Sequence, residues 1–151
     1  MALNIEEQYD KIYRYCYLRV HSRETAEDIT QETFLRYLEK PVYGGTDKTL
    51  RILYTIARNL CTDEYRKKKT EELSDELPAD NDIEDTVLTN ILLREALDRL
   101  SDEERELVLM RYVNNVPLAV MAELYDMSRF AMNRKLRGII RRLHNSFGEE
   151  K

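Results

Sequence analysis

Arg129, Arg134, Lys135, Arg137, Arg141 and Arg142 crowd into one stretch of the chain that holds no acidic residue. Guanidinium and ammonium groups at this density neutralise phosphates. An arginine fork also matches O6 and N7 of guanine, and an asparagine such as Asn133 matches the N6 and N7 edge of adenine. Such contacts need an element narrow enough to enter a groove, and the local pattern supplies one. Pro117 to Tyr125 reads as a short amphipathic helix opened by a proline, whose φ suits a first helical turn. Asp126 and Met127 form a turn, and Ser128 can cap a longer helix by accepting from its free amides. The layout is that of a helix-turn-helix, with Ser128, Arg129, Asn133, Arg134 and Arg137 as the residues expected to meet duplex DNA. Leu124, Met127, Met132, Leu136, Ile139, Ile140 and Leu143 are expected in the core. A basic helix can also be no more than a solvated face, so the rest of the chain must decide.

Other chemistries find little support. Cys16 and Cys61 have no cysteine or histidine neighbours at metal-ligand spacing, and the only histidines are His21 and His144. Both thiols are expected to be small packing residues in a reducing compartment, with a disulfide between them as the lesser alternative. No paired carboxylates, nucleophile with a base, Gly-rich phosphate loop or metal cluster is visible, so no enzyme activity, cofactor or metal is expected. No signal peptide or long uncharged apolar run occurs, which predicts a cytoplasmic protein.

Charge is unevenly distributed. The formal net charge of −5 argues against a protein that simply coats nucleic acid. Residues 1–70 carry 13 basic and 11 acidic side chains, residues 71–106 carry 3 and 14, and residues 107–151 carry 8 and 4. An acidic middle between two mildly basic ends suits a chain with more than one kind of partner.

The elements that would position these groups are helical throughout. Ile5, Tyr9, Ile12, Tyr13, Cys16, Leu18 and Val20 mark a first helix, interrupted at His21-Ser22. Thr25 to Asp28 reads as a capping box opening a second helix through Lys40, ended by Pro41 and Gly44-Gly45. Thr46 or Asp47 can cap a third, whose Leu50, Leu53, Ala57 and Leu60 form a buried stripe and which runs to about Lys69. Residues 70–85, acidic and containing Pro78, read as a flexible linker. A fourth helix is expected from Thr86 to Leu100, and the box Ser101-Asp102-Glu103-Glu104 opens a fifth through Val113. The expected fold class is therefore all-α, with small helical domains at 1–69 and 86–151 joined by the acidic linker.

The order of these features is more specific than any one of them. Residues 26–35, Ala-Glu-Asp-Ile-Thr-Gln-Glu-Thr-Phe-Leu, resemble the segment of bacterial sigma factors that docks on core RNA polymerase. Residues 53–68, from Leu53 through Ala57-Arg58-Asn59 to Lys68, are similar to their promoter-melting helix. Ala96 to Leu100, followed by the capping box and the helix-turn-helix, matches the start of their C-terminal DNA-binding domain. The whole chain resembles the extracytoplasmic-function (ECF) class, which keeps only these two domains.

The resemblance implies that Asp28, Gln31, Glu32 and Phe34 bind core polymerase, the acidic face meeting a basic surface of its largest subunit. It implies that Arg58, Asn59, Thr62, Asp63, Arg66 and Lys67 contact the −10 element, and that the loop 42–46 offers Tyr43 to a flipped base. The helix-turn-helix would take the −35 element. Partners implied are core RNA polymerase, promoter DNA and an anti-sigma factor, for a protein that is monomeric when free.

The departures from the family pattern are specific. No Trp stands near Ile52, Val120 replaces an acidic residue, Asp126 stands where glycine is frequent, and Ala131 and Gly138 replace Thr and a basic residue. Two other functions remain compatible with these residues, a dimeric operator-binding regulator and a polymerase-binding adapter without promoter recognition.

Overall fold

The computed structural model describes residues 4–40, 44–71 and 95–148, and all of its regular structure is helical among them. Helix α1 spans Ile5–Val20, α2 Arg23–Glu39 and α3 Thr46–Glu71. Helix α4, Asp102–Val108, runs on into a π-helical turn at Leu109–Val113. Helices α5, Leu118–Leu124, and α6, Arg129–Gly148, complete the chain. Residues 95–98 form one helical turn ahead of α4. The expected linker beyond Glu71, and the expected fourth helix as far as residue 94, lie outside the described residues.

Local chemistry accounts for where the helices begin and end. Asn4 caps α1 by accepting from the Glu7 amide at 3.0 Å, and α1 stops at His21, whose φ of 56° turns the chain left-handed. The cap of α2 is Ser22, which accepts from the Thr25 amide at 3.2 Å. That corrects the expected start at Thr25, because a serine one turn earlier already satisfies the amides a threonine there would have served. Thr46 and Asp47 likewise sit inside the first turn of α3 rather than capping it. Gly45, at φ 99°, makes the entry into that helix in a conformation glycine takes without steric cost. The Ser101 box forms as expected: its hydroxyl accepts from the Glu104 amide at 3.1 Å, and the Glu104 carboxylate accepts from the Ser101 amide at 3.0 Å.

Helices α1, α2 and α3 pack on one another through Ile12, Tyr15, Cys16, Ala26, Ile29, Phe34, Leu53, Tyr54, Ala57 and Cys61. Thr30 and Thr33 are also buried, and their hydroxyls donate to the Ala26 and Ile29 carbonyls at 2.7 and 2.8 Å, which removes the penalty of dry hydroxyls. The two cysteines are free and buried, as the packing role predicts. The hydrogen bond that the Cys61 thiol donates to Cys16, followed by burial, pushes the Cys61 thiol well above its ordinary pKa.

The C-terminal helices build on Leu107, Met110, Val120, Met121, Met132, Leu136 and Ile139. Ile140, expected in this core, is 37% exposed, because it follows Ile139 and falls beyond the buried stripe.

The two halves are not separate in this structure. The apolar cluster runs unbroken from one to the other, with α5 laid against α3 and α4 touching α1. Polar contacts cross the same junction. Glu106, only 6% exposed, accepts from the Tyr15 hydroxyl at 2.8 Å and from the Tyr125 hydroxyl. Its carboxylate also lies 3.7 Å from the Arg19 guanidinium and 3.5 Å from that of Arg58. Burial first, and then the Glu106 charge, hold both phenols well above the usual tyrosine range, so both stay protonated and donate. Asn114 forms a second crossing. The π turn brings its side chain inward, where it donates to the Lys11 carbonyl at 2.8 Å and to the Tyr54 hydroxyl at 3.0 Å, and accepts from Arg14 at 3.2 Å.

Candidate nucleic-acid and protein interfaces

On α2, Asp28 and Gln31 are exposed and Glu32 is half-exposed, one turn apart or less on the side turned away from α1. Glu32 pairs with Arg36 at 2.8 Å, a surface contact that leaves the acidic face in water. Leu35 and Leu38, 58% and 63% exposed, add apolar area beside it. Phe34 is different. It is 8% exposed and stacks on Tyr9 with ring centroids 5.5 Å apart, so it packs α2 against α1 and presents little surface to a partner. Helical spacing explains the split: Phe34 continues the buried stripe of Ala26, Ile29, Thr30 and Thr33.

Helix α3 carries two polar faces, one in solvent and one against the C-terminal half. Asn59, Asp63 and Arg66 are exposed, with Thr62 half-buried beside them, at the three- and four-residue spacing that makes a single stripe. The Arg19 guanidinium donates to the Thr62 hydroxyl at 3.1 Å. Lys67 is exposed at the far end of the helix. Arg58 lies off this stripe and faces the C-terminal half. It donates to the Leu124 carbonyl at 3.0 Å, its guanidinium sits 4.4 Å from the centre of the Tyr125 ring, and it approaches Glu106. Arg51, two turns earlier on the same side, pairs with Glu123 at 2.9 Å. Tyr43 lies outside the described residues.

The helix-turn-helix closes as a Schellman motif. The Met127 amide donates to the Ala122 carbonyl at 2.9 Å and the Asp126 amide to the Glu123 carbonyl at 3.2 Å, with Asp126 left-handed at φ 56°. That conformation is why glycine is frequent at this position in the family the sequence resembles. Ser128 then caps α6 by accepting from the Ala131 amide at 3.0 Å, as expected. Met132, Leu136 and Ile139 bury one side of α6. Opposite them, at spacings of four, three and four, stand Phe130, Arg134, Arg137 and Arg141, all exposed. Arg129 and Asn133 are exposed on one flank, and Arg142 on the other flank pairs with Glu104. The pair lies where α6 touches α4, and Arg142 followed by the Ser101 amide keeps the Glu104 carboxyl below its usual range. Phe130 and Arg141 were not among the residues expected to meet DNA. The same spacing that marks the buried stripe would have found them.

The arrangement can therefore dock a protein on α2 and present cations and amides to nucleic acid on α3 and α6. Among the described residues no group of His, Cys, Asp and Glu is placed to hold a metal, and no helix is long and apolar enough to cross a membrane.

Known proteins are similar to this chain in sequence and in fold. The family model Sigma-70 region 2 matches residues 5–71, which are α1 to α3. The chain is 36% identical over 131 residues to the ECF RNA polymerase sigma factor BldN of Streptomyces coelicolor, across 78% of this chain and 49% of BldN, so it spans about half that relative's length. It is 31% identical over 136 residues to the ECF RNA polymerase sigma factor SigW of Bacillus subtilis, across 78% of this chain and 72% of SigW. The sigma factor RpoE of Bartonella quintana, solved in complex with the anti-sigma factor NepR, has the same fold, with a TM-score of 0.69 at 17% identity over 95% of this chain and 93% of that one. With its region 2 helices matched and its similarity to SigW carried on into the C-terminal half, this chain belongs to the ECF class of RNA polymerase sigma factors.

Proposed function

We propose that this protein binds core RNA polymerase and directs it to promoter DNA, acting in the cytoplasm and without chemistry of its own. Core polymerase would meet the exposed side of α2 through Asp28, Gln31 and Glu32. The −10 element would meet the α3 stripe of Asn59, Thr62, Asp63 and Arg66, with Lys67 on the backbone and Tyr43 offered from the preceding loop. The −35 duplex would take α6, where Arg134 and Arg137 face outward and Ser128, Arg129 and Asn133 flank them. An anti-sigma protein, of the kind that accompanies RpoE in its solved complex, is the expected regulator.

The observation that carries the reading is the separation of faces. Three helices each bury one stripe and leave another in solvent, and the solvent stripes hold acidic groups on α2 and hydrogen-bonding or cationic groups on α3 and α6. Arg58 qualifies the −10 assignment, because a guanidinium that holds the Leu124 carbonyl and stacks on Tyr125 is not open to a phosphate. On this reading the halves part when promoter DNA is engaged, which frees Arg58. The test is co-elution of the purified protein with core polymerase, followed by specific initiation from a promoter upstream of its own regulon. Co-elution without specific initiation would leave an adapter. Operator binding as a dimer without polymerase would overturn the proposal.

A further inference from the structure

Phe130 is 72% exposed in the first turn of α6, the largest such fraction among the exposed large apolar side chains described. It is not an isolated surface residue. The Arg134 guanidinium carbon lies 4.9 Å from the centre of its ring, so the pair stacks as a unit one helical turn long. Both belong to the outward stripe, continued by Arg137 and Arg141, and the cationic setting matches a polyanion.

Resting on the reading of α6 as the duplex-binding helix, we propose that Phe130 and Arg134 together read a thymine next to a guanine in the −35 element, with Phe130 as a specificity-determining residue. A benzyl side chain has no hydrogen-bonding group, and the one apolar feature a base pair shows in the major groove is the thymine C5-methyl. Arg134 supplies the complementary half, two parallel donors for guanine O6 and N7. The spacing sets adjacency. Successive base pairs lie about 3.4 Å apart, so side-chain groups 4.9 Å apart reach neighbouring pairs and fall short of the next but one. The stack also holds the guanidinium plane before DNA arrives, so less rotamer freedom is lost on binding.

The experiment uses holoenzyme assembled from this full chain and core polymerase, and selects bound duplexes from a library randomised upstream of a fixed −10 region. The wild-type motif should contain thymine adjacent to guanine. Replacing that thymine by uracil, which removes only the methyl group, should weaken binding about fourfold, the effect of one methylene-sized group. Phe130→Ala should bind the thymine and uracil duplexes equally while keeping the guanine, and Arg134→Ala should lose the guanine. A motif with guanine but no neighbouring thymine, or a thymine-to-uracil ratio unchanged in Phe130→Ala, would overturn this inference alone. No selected upstream motif at all would overturn it together with the assignment of α6. Phe130 is so exposed that its replacement leaves the fold intact, which a circular dichroism melt verifies.

Discussion

Replacing Glu106 by alanine should unfasten the two halves, and its effect can be worked from the contacts. The carboxylate is 6% exposed and accepts from two phenols, Tyr15 and Tyr125, while facing Arg19 and Arg58. Its loss removes the carboxylate acceptor of both hydroxyls, leaving buried Tyr15 only the bond it accepts from Arg19 at 2.8 Å and half-buried Tyr125 only the Met110 sulfur at 3.5 Å, at about 1–3 kcal/mol each. The arginines add less than a dry ion pair would, because their side chains remain 23% and 35% exposed and water screens them. A total of about 3–5 kcal/mol follows, in line with breaking a buried charged contact by removing one partner. For a chain of this size each kcal/mol moves Tm by about 2–4 °C, so a fall on the order of 10 °C is expected. Glu106→Gln keeps acceptors for the phenols but weakens them to neutral bonds, and should cost about 1–2 kcal/mol. Urea titrations of both variants, read by circular dichroism, supply the numbers. A double-mutant cycle with Tyr15→Phe then isolates the contact across the junction, with about 1–2 kcal/mol of coupling expected. Glu106→Ala within 0.5 kcal/mol of wild type, or strict additivity with Tyr15→Phe, would refute the argument that this carboxylate fastens the halves.

Alkali should unfold the protein through its buried phenols. Tyr15, Tyr54 and Tyr125 are all raised above the ordinary value of 10.0, mainly by burial, so their contribution is complete below pH 10 and is lost as pH rises beyond it. Stability measured by urea should fall by up to about 1.4 kcal/mol per pH unit per tyrosine, and Tyr54→Phe should flatten the slope by one such step. Asp126→Gly should stabilise by about 0.5–1 kcal/mol, because relief of a left-handed φ outweighs the added backbone freedom of glycine, whereas Asp126→Val should destabilise; thermal melts decide the sign. Reversing charge at Asp28 and Glu32 together should weaken association with core polymerase while changing stability by less than about 0.5 kcal/mol, since both lie on the surface. Unchanged affinity in a pull-down would remove this side of α2 from the interface.

What the sequence determined by itself is whatever short-range chemistry governs. Apolar residues at three- and four-residue spacing, the Ser101 box and the Ser128 cap specify the helices and the side each one buries, because capping and amphipathicity act within a turn or two. That was enough to place Asn59, Asp63, Arg134 and Arg137 on solvent-facing sides. The same rule, applied to the outward side of α6, would have added Phe130 and Arg141 and kept Phe34 in the core. Tertiary structure decided which side chains the two halves take from each other. Arg58 and Asn59 are neighbours in the chain, yet one grips Leu124 and Tyr125 while the other stays in water. Glu106 looked like one more acid in an acidic stretch, and it is buried because Tyr15 and Tyr125, from opposite halves, meet on it. No local pattern encodes that meeting. A carboxylate can be dry only where distant parts of the chain bring it donors, and only the packed molecule brings these together.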